Sequence, residues 1–213
     1  VSNNGSDILQ MFYTEFDAFL PEAKREAVKG ESGLIPPSLI PELDAQREWV
    51  YHQINDGVYK VGFASTQAAY EGNLFPLFEG LDRIEEHLGN EAHQPYLFGK
   101  IITDADIRLY STLIRFDVAY FSSFKCNLKM IRYEYPRIHK WLRNLYWDPA
   151  GVTDGAFRDT VNFDLVSSTR IECLCWKTAL TARQYKQQYA HATVSKVYPK
   201  GPIPHILPLD ADA

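Results

Sequence analysis

Apolar residues recur at three- and four-residue spacing in stretch after stretch of this chain, and no convincing run of strict alternation appears before about Thr160. That pattern suits helices that bury one face and not the strands of a sheet. The sharpest local signal lies at Thr103-Asp104-Ala105-Asp106, where Thr103 as N-cap and Asp106 at N3 make a capping box, with Ile102 and Ile107 placed for a hydrophobic staple. The helix it opens is expected to run toward Phe121, carrying Ile107, Tyr110, Leu113, Ile114, Phe116 and Tyr120, apolar on more than one side as a central helix must be.

Four further helices follow from the same reasoning. The first begins near Asn4 or Ser6, with Asp7 in its first turn, and carries Leu9, Met11, Phe12, Phe16, Phe19 and Leu20 before Pro21 ends it. A second, through Leu39, Leu43, Trp49, Val50 and Ile54, is expected to close at Asn55-Asp56-Gly57. A third starts after Ser65 as cap and runs to Gly89 through Ala68, Ala69, Leu74, Leu77, Phe78, Leu81, Ile84 and Leu88, with a kink at Pro76. Pro136 suits the first turn of the last, whose buried face is Ile138, Trp141, Leu142, Leu145 and Tyr146, and Pro149 and Gly151 stop it. An all-α bundle is the expectation, followed by an extended tail near Gly201-Pro202.

Charge and composition narrow the function classes. The chain carries 22 basic against 27 acidic residues, so no broad cationic face for nucleic acid is expected. No apolar run approaches the ~20 residues that cross a bilayer, and the start lacks a basic segment followed by an apolar one. Three cysteines cannot all pair within one chain, which points to a reducing, cytoplasmic setting. Cys173-Leu174-Cys175 with a distant His191 is a weak ligand set, so no metal is expected. Cys126 reads as a packed small apolar residue. Arg108 and Arg115 read as helix anchors paired with Asp106, Asp117 or other acids, and Asp106 as a cap rather than an acid catalyst.

Several strings, in order, resemble the helical C-terminal half of the glutathionyl-hydroquinone reductases, the Xi class of the glutathione transferase superfamily. They are Asn55-Asp56-Gly57-Val58-Tyr59-Lys60-Val61-Gly62-Phe63-Ala64, Thr103-Asp104-Ala105-Asp106-Ile107-Arg108-Leu109, Ile114-Arg115-Phe116-Asp117, Phe124-Lys125-Cys126-Asn127 and Thr160-Val161-Asn162-Phe163. The capping box is shared across the superfamily; the Gly-Val-Tyr-Lys, Ile-Arg-Phe-Asp and Phe-Lys-Cys strings are specific. The resemblance implies a glutathione S-transferase C-terminal-like domain over residues 1–164, beginning at the end of a thioredoxin-like domain that is absent here. Residues 165–185 read as an atypical insertion, a translated intron or gene-model error, and residues 186–213 as a C-terminal tail.

The resemblance also implies a chemistry. In the family a cysteine thiolate attacks the sulfur of a glutathionyl-hydroquinone, the hydroquinone departs, and a second glutathione resolves the mixed disulfide. The departing ring carbon needs a proton, and a phenol, protonated near neutral pH, can supply it. By motif match Tyr59 corresponds to the proton donor and Tyr120 to a tyrosine that lowers the cysteine pKa; Tyr189 is a looser match to a third. Against this stands the plain reading that any one of 13 tyrosines is more often a core residue with a satisfied hydroxyl. Where relatives hold the γ-glutamyl group with a Glu-Ser pair at a helix start, this chain has Asn4-Gly5, leaving Ser6 and nearby backbone amides as the glutathione contact. None of Cys126, Cys173 and Cys175 precedes a proline, so none matches the family nucleophile, and the chain alone is expected to lack turnover. The intact relative is expected to be a homodimer acting on aromatic glutathione conjugates. A noncatalytic interaction module is the alternative; an omega-class thioltransferase or dehydroascorbate reductase is another, disfavoured by Tyr59 within Gly-Val-Tyr-Lys.

Overall fold

The computed structural model describes Asn3 and residues 5–161. Six helices carry the architecture: α1 (Gly5–Thr14), α2 (Ile40–Val50), α3 (Gly57–Gly62), α4 (Gln67–His87), α5 (Asp104–Leu113) and α6 (Pro136–Trp147). Among the described residues the only β pairing is a single bridge between Tyr96 and Gly99. No helix among them is long and apolar enough to cross a membrane.

The core is one continuous cluster. α4 contributes Tyr70, Leu74, Leu77, Leu81 and Ile84, α5 contributes Leu109 and Leu113, and α6 contributes Ile138, Trp141 and Leu145, all buried. At about 25 cal/mol per Å² of apolar surface removed from water, such side chains supply most of the drive to collapse. α4 spans 21 residues with Pro76 inside it, and its N-cap is Thr66, whose side chain accepts the Ala69 N–H at 3.1 Å, rather than Ser65. Ala68 and Ala69, expected on the apolar stripe, lie exposed in the first turn, before the buried run begins at Tyr70.

Helix starts are fixed by carboxylates. The capping box at Thr103 and Asp106 forms. Asp106, fully buried, accepts from Thr103 N and Oγ1, Leu97 N and Trp141 Nε1, all at 2.9 Å, so one side chain ties the start of α5 to α6 and to the preceding loop. Burial pushes its carboxyl up, and these four donors pull the other way. Glu85 of α4 reaches the opening amides of α6, accepting from Arg137 N and Ile138 N at 2.9 Å. Asp117 does the same for the single turn Ile131–Glu134.

Three expected boundaries move. α1 stops at Thr14, not Pro21, because Asp17 turns its carboxylate to the N–H groups of Glu26 and Ala27 and draws the chain into the next turn. None of the residues of α1 is buried, and Phe12, Phe16 and Phe19 form an exposed ring ladder. Gly57 does not close α2: the chain passes through a wide π-helical turn, Tyr51–Asn55, and Gly57 opens α3. The helix from Thr103 does not run unbroken to Phe121; α5 ends at Leu113 and a second π-helical turn, Phe116–Tyr120, follows. A π turn inserts one residue per turn and so changes which face later side chains occupy.

Candidate functional site

Tyr59 stands on α3, immediately after the first π turn, and Tyr120 closes the second. The two turns bring the phenols together although 61 residues separate them: hydroxyl to hydroxyl is 3.1 Å, and the rings meet edge to face with centroids 5.7 Å apart. Their environments differ. Tyr120 is only 6% exposed, Tyr59 40%. Burial, the hydrogen bond to Tyr59 and the nearness of that phenol push the Tyr120 hydroxyl well above the ordinary tyrosine value, while Arg115 works in the opposite direction. Tyr120 therefore stays a neutral donor at physiological pH, paired with a half-exposed partner.

The backbone behind the pair is tightly set. The Tyr120 carbonyl accepts from Phe124 N at 3.2 Å and from Cys126 N at 3.1 Å. That double acceptance needs Lys125 in the left-handed region, φ 60°, and the Lys125 carbonyl is held by the Tyr70 hydroxyl at 2.7 Å. Cys126 is fully buried with its thiol pushed far up by desolvation, as a packed residue and not a thiolate would be.

Tyr59 lines a cavity of about 840 Å³ whose lining also includes Gly5, Ser6 and Asp7 at the start of α1. Tyr120 is not among its lining residues. Ser6, half-buried on α1, gives its carbonyl to Arg108 Nη2 at 3.4 Å. On the floor sits a charge cluster that sequence reasoning missed. Asp104, 1% exposed, accepts from Tyr13 Oη at 2.5 Å, Arg108 Nε at 2.6 Å and Arg47 Nη2 at 3.0 Å. Arg108 is a helix anchor as expected, but its acid is Asp104, four residues back, because Asp106 is turned inward as the cap. Asp117 likewise goes to backbone amides, not to Arg115. Gln46 Oε1 and Arg47 Nε, both buried at this cavity, have no hydrogen-bond partner among the described residues. No cluster of three or more metal-ligating side chains occurs among the described residues. Tyr189, Cys173, Cys175 and His191 lie outside the described residues, as do the boundaries drawn at 164 and 185.

A second missed feature is a corner of rings beside the phenols. Phe63, one helical turn beyond Tyr59, and Phe124, in the turn after Tyr120, stand 5.4 Å apart and 6.4 and 5.5 Å from the Tyr59 ring. The i, i+4 spacing of Tyr59 and Phe63 was the available signal.

This helical architecture defines a class of protein: residues 67–144 match the family model of the glutathione S-transferase C-terminal domain. Over nearly its whole length the chain is similar to the fission yeast (Schizosaccharomyces pombe) protein named glutathione S-transferase omega-like 2, 36% identical over 206 residues that make up 97% of this chain and 58% of that protein. The glutathionyl-hydroquinone reductase YqjG of Escherichia coli is 39% identical over 164 residues, 77% of this chain and 44% of that one. Its glutathione-bound structure superposes with a TM-score of 0.65 at 37% identity, over 80% of this chain and 51% of that one. The Xi glutathione-S-transferase structure from Phanerochaete chrysosporium gives 0.68 at 43% identity, over 98% of this chain and 60% of that one. The chain is thus similar to transferases named omega-like and Xi and to a glutathionyl-hydroquinone reductase, and within it residues 67–144 match the glutathione S-transferase C-terminal domain. It spans 44% to 60% of the length of these relatives.

Proposed function

We propose that this chain is the helical, substrate-binding half of a cytoplasmic glutathione-dependent reductase that converts S-glutathionyl-hydroquinones to hydroquinones. The observation that carries the reading is the pair of phenols, Tyr59 and Tyr120, hydroxyl to hydroxyl at 3.1 Å, with Tyr59 open to an 840 Å³ cavity. When a thiolate attacks the sulfur of the conjugate, the carbon–sulfur bond breaks, its electron pair goes to the ring carbon and a proton must follow. In this reading Tyr59 gives that proton, and Tyr120, one hydrogen bond behind it, stabilises the phenolate left on Tyr59. A donor in that position also serves to hold a neighbouring thiolate, the role assigned to Tyr120 by resemblance. Tyr189 is the third tyrosine of this proposal, and the start of α1 at Ser6 the contact for glutathione. The thiolate comes from a Cys-Pro motif outside the 213 residues, since none of the three cysteines precedes proline and Cys126 is buried. The assembly is a homodimer.

The test is a titration of the purified chain with S-glutathionyl-hydroquinone, together with a glutathione-coupled turnover assay. We expect binding in the millimolar range or tighter, about five- to tenfold weaker in Tyr59→Phe through loss of one hydrogen bond, and no turnover. Absence of binding, or binding indifferent to Tyr59→Phe and Tyr120→Phe, rejects the reading; turnover by the chain alone rejects the claim that its nucleophile lies elsewhere. One observation favours a noncatalytic interaction module instead: the ladder of Phe12 on α1 and Phe16 and Phe19 just after it, exposed among the described residues.

A further inference from the structure

Helix α6 carries four basic side chains, Arg137, His139, Lys140 and Arg143, and no acid, in a chain whose formal net charge is -5. Three of them, Arg137, Lys140 and Arg143, recur at every third position and line, with Trp147, a cavity of about 420 Å³. Among the described residues no carboxylate lines it, and none is shared with the cavity at Tyr59. The helix itself gains little from these charges. Like charges three positions apart repel. Arg137 stands in the first turn, where the helix dipole disfavours a cation, and none of the three stands in the last turn, where it would favour one. The neighbouring acids serve backbone amides instead: Glu85 accepts from Arg137 N and Ile138 N at 2.9 Å, and Asp148 from Val152 N and Thr153 N at 2.8 Å. Among the described residues no ion pair includes Arg137, Lys140 or Arg143. Arg137 is nevertheless held in place. Its Nη1 donates to the Glu85 carbonyl at 3.3 Å and lies over Gly89, where a Cβ would come within 3.0 Å of it.

We propose that this cavity binds a small phosphorylated aromatic compound, its phosphate held by Arg137, Lys140 and Arg143 and its ring packed on Trp147. Three cations without a counter-charge suit a group that carries more than one negative charge and several acceptor oxygens. Trp147, 61% exposed, supplies the aromatic face that a flat ring needs. The volume is that of a small-molecule site, and a long polyanion laid across it would meet the net negative charge of the rest of the chain. Aryl phosphates and nucleoside monophosphates share this chemistry. The site stands apart from conjugate reduction, so either reading can fail alone.

The experiment is an NMR titration of the purified 213-residue chain with phenyl phosphate, inorganic phosphate, phenol and adenosine monophosphate, in the native protein, Arg143→Gln and Trp147→Ala. Phenyl phosphate is expected to bind in the millimolar range or tighter, about tenfold more tightly than inorganic phosphate, while phenol does not bind here. Arg143→Gln weakens both phosphates about tenfold. Trp147→Ala brings phenyl phosphate down to the level of inorganic phosphate and leaves the latter unchanged. Both residues are exposed, so the variants are expected to melt with the native protein. Phenyl phosphate that binds no better than inorganic phosphate, that ignores either substitution, or that does not bind at all overturns the site. Adenosine monophosphate bound more tightly than phenyl phosphate, and weakened by the same two substitutions, supports the site and assigns it to nucleotides; the reverse order supports it and assigns it to aryl phosphates.

Discussion

Asp104 shows how one residue can organise a surface that sequence patterning leaves blank. A carboxylate 1% exposed needs donors around it in a fold, and here two guanidinium groups and a phenol surround it. Arg47 and Arg108 are themselves mostly covered, with side chains 19% and 16% exposed. Removing the acid therefore takes the carboxylate from Arg108 and leaves Arg47 only its exposed partner Asp44. Asp104→Ala is expected to cost about 3–5 kcal/mol of folding stability, the scale for breaking a buried pair from one side; a urea midpoint equivalent to less than ~1 kcal/mol would show the cluster to be well hydrated instead. The sequence displayed Asp104 plainly inside a recognisable string, and the N3 spacing singles out Asp106 as the cap, but no spacing says what Asp104 meets. Its pairing with Arg47 depends on how α5 lies against α2, a tertiary fact. Tyr59 and Tyr120 were legible only because their flanking strings were; their hydroxyl contact depends on two π turns that no periodicity announces.

Among the elements, starts were easier to read than ends. Thr103 with Asp106, and Pro136 at the head of α6, are local chemical signals, since a helix N-terminus has orphan amides that particular side chains satisfy. Ends and interruptions depend on partners far away: Asp17 on Glu26 and Ala27, the breaks at Tyr51–Asn55 and Phe116–Tyr120 on packing around them. Ser65 and Thr66 are equally good caps on paper, and only the direction of entry into α4 chooses Thr66. The Asp106 cap gives the sharpest element-level prediction. Three of its four partners, Leu97 N, Thr103 N and Trp141 Nε1, can only donate, and only the Thr103 hydroxyl could turn to accept, so an amide at that position must aim its NH₂ at that hydroxyl or at a donor. Asp106→Asn, although nearly isosteric, is expected to lose about 2–4 kcal/mol, more than the ~1 kcal/mol of an ordinary cap. Chemical denaturation decides it: a loss below ~0.5 kcal/mol would mean that the shell does not discriminate carboxylate from amide.

At the scale of the whole molecule, the apolar stripes of α2, α4, α5 and α6 converge on one core, as their spacing required, whereas α1 carries an equally apolar stripe that the described residues do not cover. Periodicity reports that a face is apolar and is silent on what it meets. The core is also unusually phenolic, and this sets a pH limit on the fold. Tyr13, Tyr110, Tyr120 and Tyr135 all have hydroxyls pushed above the ordinary value near 10, burial being the largest cause in each. A phenol whose folded pKa exceeds its unfolded one keeps its proton in the fold after the unfolded chain has released it. Stability is then fully present below ~10 and is lost as pH rises beyond it. Urea midpoints should stay level between pH 8 and 9.5 and fall steeply above ~10, with the tyrosinate absorbance of these four residues appearing only as helicity disappears. Tyr120→Phe removes one such group, so its midpoint should fall less steeply over the same interval even if the variant is less stable at pH 8. Full tyrosinate absorbance at pH 11 in a chain that keeps its helical signal would mean that water reaches these hydroxyls, Tyr120 included. The neutral donor behind Tyr59 would then be lost.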